Sequence, residues 1–133
     1  MTTTLMAAHR YADICTGTLK EHDFFFICSD KVKVTNRTKG EEVKSFSGRE
    51  AVVKAFADNI FNNTKGIKVK SVGYSIGENG VAVFLDVKAY KLMKDGSWIK
   101  FHFIEKTYLT FEKVNNEFRL LTIDMNVTKE IIS

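Results

Sequence analysis

The sequence predicts an α+β fold, in which N-terminal helices pack on a long antiparallel sheet. In the first half of the chain, apolar residues repeat at helical spacing. From Ile67 they alternate with polar residues at the two-residue period of strands. Turn-forming residues divide this second half at 77–80, 94–97 and 115–116. Long strands with one apolar face need a covering layer, which the helices supply.

Composition limits the possible classes of protein. The 133 residues are expected to form a single domain, 1–133, and 44% apolar content with 12% aromatics excludes a disordered chain. No apolar run approaches the roughly 20 residues of a membrane span, and the net charge of +4 is dispersed, so we expect neither a membrane nor a nucleic-acid partner. The N-terminus lacks a signal-peptide pattern, which favours a cytoplasmic protein with reduced Cys15 and Cys28. The spacing of His and Cys predicts no metal site, and no cofactor motif is present.

Three segments of the first half are expected to be helical. Residues 3–20 form the first helix, capped by one of the N-terminal threonines. Residues 24–28 fit a strand by propensity and a short helix by the spacing of their apolar side chains, and local sequence leaves the choice open. Ser47 and Glu50 form a capping-box pattern that predicts the start of the third helix.

The strands are predicted from alternation. Val32 and Val34 mark a half-buried strand that precedes the third helix. In the sheet, one strand face carries Val81, Val83, Leu85, Val87 and Ala89. On the next strand, Phe101, Phe103, Glu105 and Thr107 share the inner face, and Trp98, His102, Ile104 and Tyr108 share the outer face. This outer set predicts a homodimer through the outer face of the sheet.

Three segments resemble the nuclear-transport-factor-2-like family, which has a cone-shaped α+β fold. Residues 29–35 (SDKVKVT) are similar to the family's lead into its first strand, and residues 46–52 (FSGREAV) are similar to its entry into helix three. Residues 120–125 (LLTIDM) resemble its last strand. The resemblance covers nearly the whole chain, and it implies that residues 24–28 form a short second helix. It also implies that three N-terminal helices pack on a strongly curved antiparallel sheet and enclose an internal pocket.

Ketosteroid isomerases belong to this family, and their pattern can be compared residue by residue. Its phenol donor falls on Tyr11, its general base on Asn36 and its protonated carboxylic acid near Thr107. Asn is not a base at neutral pH, and Thr is a poorer donor than a neutral carboxylic acid. The sequence therefore departs from the steroid-isomerase pattern at two of the three positions.

Glu105, Asp124 and Tyr11 are the candidate catalytic residues. Alternation places Glu105 among phenylalanines, where burial would raise its pKa as a general acid or base requires. Asp124 on the neighbouring strand could form a carboxylate pair with it, and Tyr11 could donate a hydrogen bond. Each residue also has a purely structural interpretation. Glu105 would lie at the pocket mouth or face a lysine, and Asp124 would be a hydrogen-bonded structural carboxylate. Tyr11 would be a core residue whose hydroxyl has a hydrogen-bond partner.

The leading interpretation is a protein that binds a small apolar molecule in the pocket. The ligand-binding residues are then expected to be Phe56, Ile60, Phe101, Phe103 and Thr107. The second interpretation is a lyase, isomerase or cyclase that uses general acid–base chemistry. The third is a protein-interaction module, which would have a filled cone and an exposed apolar patch. Whether the protein is an enzyme stays open at this point.

Overall fold

A computed structural model describes residues 3–132 as three helices and six strands. The helices are α1 (Thr4–Cys15), α2 (Glu21–Ile27) and α3 (Arg49–Phe56), and a π-helical turn (Ala57–Phe61) continues α3. The strands are β1 (Cys28–Thr38), β2 (Lys44–Ser47), β3 (Thr64–Ile76), β4 (Val81–Leu92), β5 (Trp98–Val114) and β6 (Glu117–Ile131). Within the described residues, no helix has the length and apolar character needed to cross a membrane.

The helix boundaries follow from their caps. Thr3 caps α1, because its hydroxyl oxygen accepts a hydrogen bond of 3.1 Å from the Met6 backbone N–H. At the start of α2, the Asp23 carboxylate accepts a 2.9 Å bond from the Lys20 backbone N–H. Residues 24–27 are therefore helical, as the family resemblance implies, and Cys28 begins β1.

The capping box predicted at Ser47 is wrong. Ser47 is the last residue of β2, and the N-cap of α3 is Gly48, with a φ of 91° that glycine adopts without a steric penalty. No side chain in the described structure caps α3. The strand pairing of β2 with β1 takes precedence over the local capping signal.

The six strands form one curved sheet in the order β2-β1-β6-β5-β4-β3. All neighbours are antiparallel except β1 and β6, which run parallel, so the sheet is mixed and the prediction of a purely antiparallel sheet is wrong in this detail. No short hairpin links β1 to β6, so their direction cannot be read from turn signals. The turn predicted at 115–116 is confirmed, and φ values of 51° and 66° at Asn115 and Asn116 fit a type I′ hairpin turn.

The hydrophobic core lies between the helices and the concave face of the sheet. The sheet contributes inward residues at alternate positions, among them Val81, Val83, Leu85, Leu109 and Ile123. The helices contribute fully buried aromatic and aliphatic side chains, chiefly Tyr11, Ile14, Phe24 and Val52. This arrangement confirms the predicted α+β fold class.

A bulge in β6 decides which of its side chains face the core. Thr110 pairs with Thr122, but Phe111 pairs with Leu120, so Leu121 is an extra residue on β6. Leu120 and Ile123 are consequently both buried, although the two residues between them would place them on opposite faces of a regular strand. Beyond the bulge, alternate residues from Ile123 to Val127 face inward and the residues between them face outward.

A cavity with a carboxyl group and a lysine-rich mouth

A cavity of about 310 Å³ lies between the concave face of the sheet and the helical layer. This volume is at the lower end of the roughly 300–1,000 Å³ typical of small-molecule sites. Its apolar wall is formed by Ile60, Ile67, Leu85, Val87, Ala89, Phe103, Met125 and Val127. Its polar lining is formed by Cys15, Asn36, Thr38, Glu41, Lys44, Asn59, Thr64, Lys91, Glu105 and Lys129.

Glu105 is held at the inner part of this cavity by two hydroxyl groups. The Tyr11 hydroxyl donates to Oε2 of Glu105 at 2.8 Å, and the Thr107 hydroxyl donates to the same oxygen at 2.6 Å. Tyr11 comes from α1, and Thr107 lies two residues further along β5 on the same face as Glu105. Because Oε2 receives both bonds, Oε1 is the oxygen left to interact with a molecule in the cavity.

Burial raises the pKa of the Glu105 carboxyl, because a charged form loses its hydration inside the cone. The hydrogen bonds from Thr107 and Tyr11 act in the opposite direction, since they stabilise the carboxylate, but burial is the larger effect. Burial also raises the pKa of the Tyr11 phenol, with the Cys15 thiol and Glu105 as further causes. Tyr11 is therefore a neutral donor to Glu105 at physiological pH.

Cys15, the last residue of α1, lines the cavity close to this pair. Burial raises the pKa of its thiol, and the neighbouring Glu105 raises it further. A thiol in this state stays protonated and is a weak nucleophile. Its contribution to the site is therefore shape and a weak hydrogen bond.

Asn36 lines the same cavity from β1. Its Oδ1 accepts a 2.8 Å hydrogen bond from the Thr38 hydroxyl, so the side-chain amide nitrogen is the group available to a ligand. Of the three positions on which the isomerase pattern falls, Tyr11 and Thr107 contact Glu105, and Asn36 lines the same cavity from β1. Asn36 supplies no proton-accepting side chain there, which leaves Glu105 as the carboxylate lining this part of the cavity.

The opposite, solvent-facing end of the cavity is charged. Lys44, Lys91 and Lys129 line it together with a single carboxylate, Glu41. The ammonium group of Lys129 forms an ion pair with Glu41. Lys91 donates a 3.3 Å hydrogen bond to the backbone carbonyl of Asn59 in the π-helical turn.

The other predicted site residues occupy three kinds of position. Ile60 and Phe103 line the cavity. Phe56 and Phe101 are buried beside it: Phe56 packs edge-on against Tyr11 at 6.2 Å between ring centroids, and Phe101 packs against Phe103 at 5.7 Å. Thr107 is fully buried and acts on the site through its bond to Glu105.

Asp124 lies outside the site. It pairs with Tyr108 on the strand next to it and forms an ion pair with Arg37, and both ionic side chains are about half exposed. The carboxylate pair expected from the sequence is therefore not formed. The reason is the bulge at Leu121, which reverses the phase of β6 and turns Asp124 to the convex face.

Sequence reasoning missed the polar residues of the mouth. Lys91 is two residues beyond Ala89 on an already recognised inward-facing series, so extending that series would have found it. Lys129 follows the inward-facing Val127 in the same way, but only once the bulge is known. Asn59 lines the cavity from the π-helical turn, and no sequence signal marks that turn.

The convex face of the sheet carries an exposed apolar group on β4 and β5. Its members are Phe84, Tyr90, Trp98, Ile104 and Tyr108, with exposed fractions between 36% and 49%. His102 shares this face and is 2.6 Å from an oxygen of Asp86. Among the described residues, no three His, Cys, Asp or Glu side chains are grouped so that they could hold a metal ion.

Comparison with known proteins identifies the fold. No protein-family model and no curated protein matches the sequence. A solved structure from Shewanella denitrificans, assigned as a SnoaL-like polyketide cyclase, is 11% identical with a TM-score of 0.73, and the match covers 93% of this chain and 89% of that one.

Two further solved structures are similar over most of their length. A hexachlorocyclohexane dehydrochlorinase is 12% identical with a TM-score of 0.65, and the match covers 98% of this chain and 92% of that one. A protein from Novosphingobium aromaticivorans, assigned as a scytalone dehydratase, is 12% identical with a TM-score of 0.61, and the match covers 96% of this chain and 83% of that one. The chain therefore adopts the fold of the nuclear-transport-factor-2-like superfamily, which confirms the resemblance drawn from residues 29–35, 46–52 and 120–125.

Proposed function

We propose that the protein binds a small, largely apolar organic molecule in the cavity and that Glu105 recognises an oxygen atom of that molecule. The observation that carries the proposal is the Glu105 carboxyl, which is held by Tyr11 and Thr107 and lines a cavity with an apolar wall. Burial favours the neutral form of this carboxyl, and in that form Oε1 can donate a hydrogen bond to a carbonyl or hydroxyl oxygen.

The cavity itself favours a binding function over a protein-interaction module. An interaction module was expected to have a cone filled by phenylalanine side chains. Phe56 and Phe101 are instead packed beside a cavity of about 310 Å³ and do not fill it.

A second candidate function is proton transfer on the bound molecule, as in an isomerase or a lyase. The raised pKa of Glu105 supports it, because a general acid or base works best when its pKa lies near the operating pH. Similar folds serve in proteins assigned as a polyketide cyclase and a scytalone dehydratase, and in a dehydrochlorinase. A fold hosts many activities, so the site residues carry this argument.

A single carboxylate suffices for such chemistry. In an isomerisation, Glu105 would take a proton from one carbon and return it to another, so that no further reactant is consumed. In a dehydration, it would take a C–H proton and pass it to the departing hydroxyl, which leaves as water while the C–H electron pair forms the double bond. Tyr11 would then be a positioning residue, since its hydroxyl contacts Glu105.

The test is a panel of small cyclic ketones and alcohols, with binding measured by ligand-observed NMR. Glu105→Gln should weaken binding of the ketones about tenfold, since it replaces a hydrogen bond from an acid with one from an amide. The matched control is Asp124→Asn, a carboxylate-to-amide change on the convex face, which should leave binding unchanged. Equal affinity of all three proteins would contradict a role for Glu105.

The two candidate functions separate in D₂O. A proton-transfer enzyme should exchange the α-protons of a bound ketone such as cyclohexanone for deuterium, and Glu105→Gln should abolish that exchange. Binding without exchange across the panel would support the binding function and contradict the enzymatic one.

A further inference from the structure

We infer that the molecule bound by the cavity is an organic anion, whose carboxylate lies among Lys44, Lys91 and Lys129 while its apolar body extends inward to Glu105. The inference rests on the proposed binding function and specifies the class of ligand. It starts from the lysines at the mouth, which the oxygen-recognition role of Glu105 does not use.

The three lysines come from three different strands and converge on one space. Lys44 lies on β2, Lys91 near the end of β4 and Lys129 near the end of β6, and all three line the cavity. Only Glu41 among the lining residues of this end carries a negative charge, which leaves an excess of two positive charges. Glu41 is paired with Lys129.

Lysines on strand edges are commonly solvent-exposed groups that prevent aggregation. Lys91 and Lys129 do not fit that description, because both are partly buried and both lie on the concave face. Lys88, three residues before Lys91 on the same strand, is the solvent-exposed kind and lies on the convex face opposite His102.

The excess of positive charge at the mouth acts on Lys91. The pKa of Lys91 is lowered, first by burial and then by the positive charge of Lys129, with Lys44 acting in the same direction and Glu41 against it. Cations that oppose one another in a partly buried site are stabilised when an anion lies between them. An exposed cluster of lysines would gain little from such an ion.

The spacing along the strands sets the shape of the ligand. Val127 pairs with Glu105, and Lys129 lies two residues further towards the mouth, a rise of about 7 Å along β6. On β4, β5 and β6, the cavity-lining side chains between Glu105 and Lys129 are apolar, namely Val87, Phe103 and Val127. A ring or short chain with a carboxylate at one end fits this arrangement, and a second oxygen function at the other end would reach Glu105.

The experiment compares matched anionic and neutral probes by isothermal titration calorimetry at low and moderate salt. The pairs are 3-phenylpropionate with 3-phenylpropionamide, and cyclohexanecarboxylate with cyclohexanecarboxamide. Because a hydrogen bond to a charged group is stronger than one between neutral groups, each acid should bind at least about tenfold more tightly than its amide. The difference should shrink as salt rises from about 0.02 to 0.2 M, since the Debye length falls below roughly 10 Å.

Variants of the lysines identify the site. Lys91→Met keeps the aliphatic stem and should reduce the affinity for the acids about tenfold while leaving the amides unaffected. Lys88→Met is the matched control on the convex face of the same strand and should change neither. Val87→Trp, which fills the cavity from β4, should abolish binding of acids and amides alike.

The outcomes distinguish this inference from the proposed function. Equal binding of acids and amides, or acid binding that Lys91→Met and Lys88→Met reduce equally, overturns the organic-anion inference and leaves the proposed binding function standing. Acid binding that survives Val87→Trp overturns it as well, because the anion then binds outside the cavity. Absence of binding by every acid at millimolar concentration overturns the anion inference, and the ketone panel then decides separately on the binding function.

Discussion

At the scale of single residues, the site depends on how Glu105 is protonated. In the unfolded chain a glutamate has a pKa of about 4.3, whereas burial raises the pKa of Glu105 in the fold. Below pH 4 both states bind the proton and the group has no net effect on stability. As pH rises above the unfolded value, the unfolded state loses its proton first, so the free energy of unfolding decreases until the folded pKa is passed.

This linkage predicts the behaviour of Glu105→Gln. The variant keeps an oxygen that can accept from Tyr11 and Thr107 but has no ionisation, so it should gain stability relative to the wild type as pH rises from 4 to 7. The gain is at most about 1.4 kcal/mol per pH unit within the titration window. Urea unfolding at several pH values measures it, with Glu78→Gln in the exposed β3–β4 turn as the control. A gain that does not depend on pH would contradict the raised pKa.

Tyr11 makes a second residue-scale prediction. Its hydroxyl bond lowers the pKa of Glu105 against the larger effect of burial, so Tyr11→Phe should raise that pKa further. The ring is retained and still packs against Phe56, so the loss of stability should be about 1–3 kcal/mol. A ¹³C NMR titration of the glutamate carboxyls follows the change directly. A Glu105 titration curve that is identical in the two proteins would exclude Tyr11 as the residue that positions the carboxyl.

At the scale of secondary-structure elements, alternation predicted the inward position of Glu105 because β5 is regular through that residue and matches β4 position by position. The same reasoning failed for Asp124, since the single extra residue Leu121 reverses the phase of β6. A bulge is set by the pairing of two strands and leaves little signal in either sequence. The sequence did not predict the parallel pairing of β1 with β6 or the π-helical turn after α3 for a similar reason, since both depend on packing between distant segments.

The reversed phase of β6 can be tested with Asp124→Asn. Because Asp124 forms a half-exposed ion pair with Arg37 on the convex face, its loss should cost about 0–1 kcal/mol of stability. Affinity for the ketone and carboxylate probes should stay the same, since the side chain does not line the cavity. A tenfold loss of probe binding would mean that Asp124 faces inward and that the carboxylate pair exists.

At the scale of the whole molecule, the two faces of the sheet differ in burial and in surface character. The concave face is covered by the helices and holds the cavity, whereas the convex face exposes apolar side chains on β4 and β5. Such a group on an otherwise charged surface is typical of a contact between subunits. Its centre is Ile104, at 49% exposed, with Tyr108 four residues along the same strand and Trp98 towards one edge.

We therefore predict a homodimer through this face, disrupted by Ile104→Lys and more weakly by Trp98→Lys. A lysine at the centre would place an unpaired charge inside the contact, whereas at the edge its charge can reach solvent. Sedimentation velocity over a range of concentrations should show the wild-type dimer and a largely monomeric Ile104→Lys variant. Phe26 lies on α2, away from this face, and its side chain is 62% exposed. The control variant Phe26→Lys should therefore sediment like the wild type. A wild-type protein that stays monomeric, or a dimer unchanged by Ile104→Lys, would mean that the convex face has another role and that the cavity serves a monomer or a different assembly.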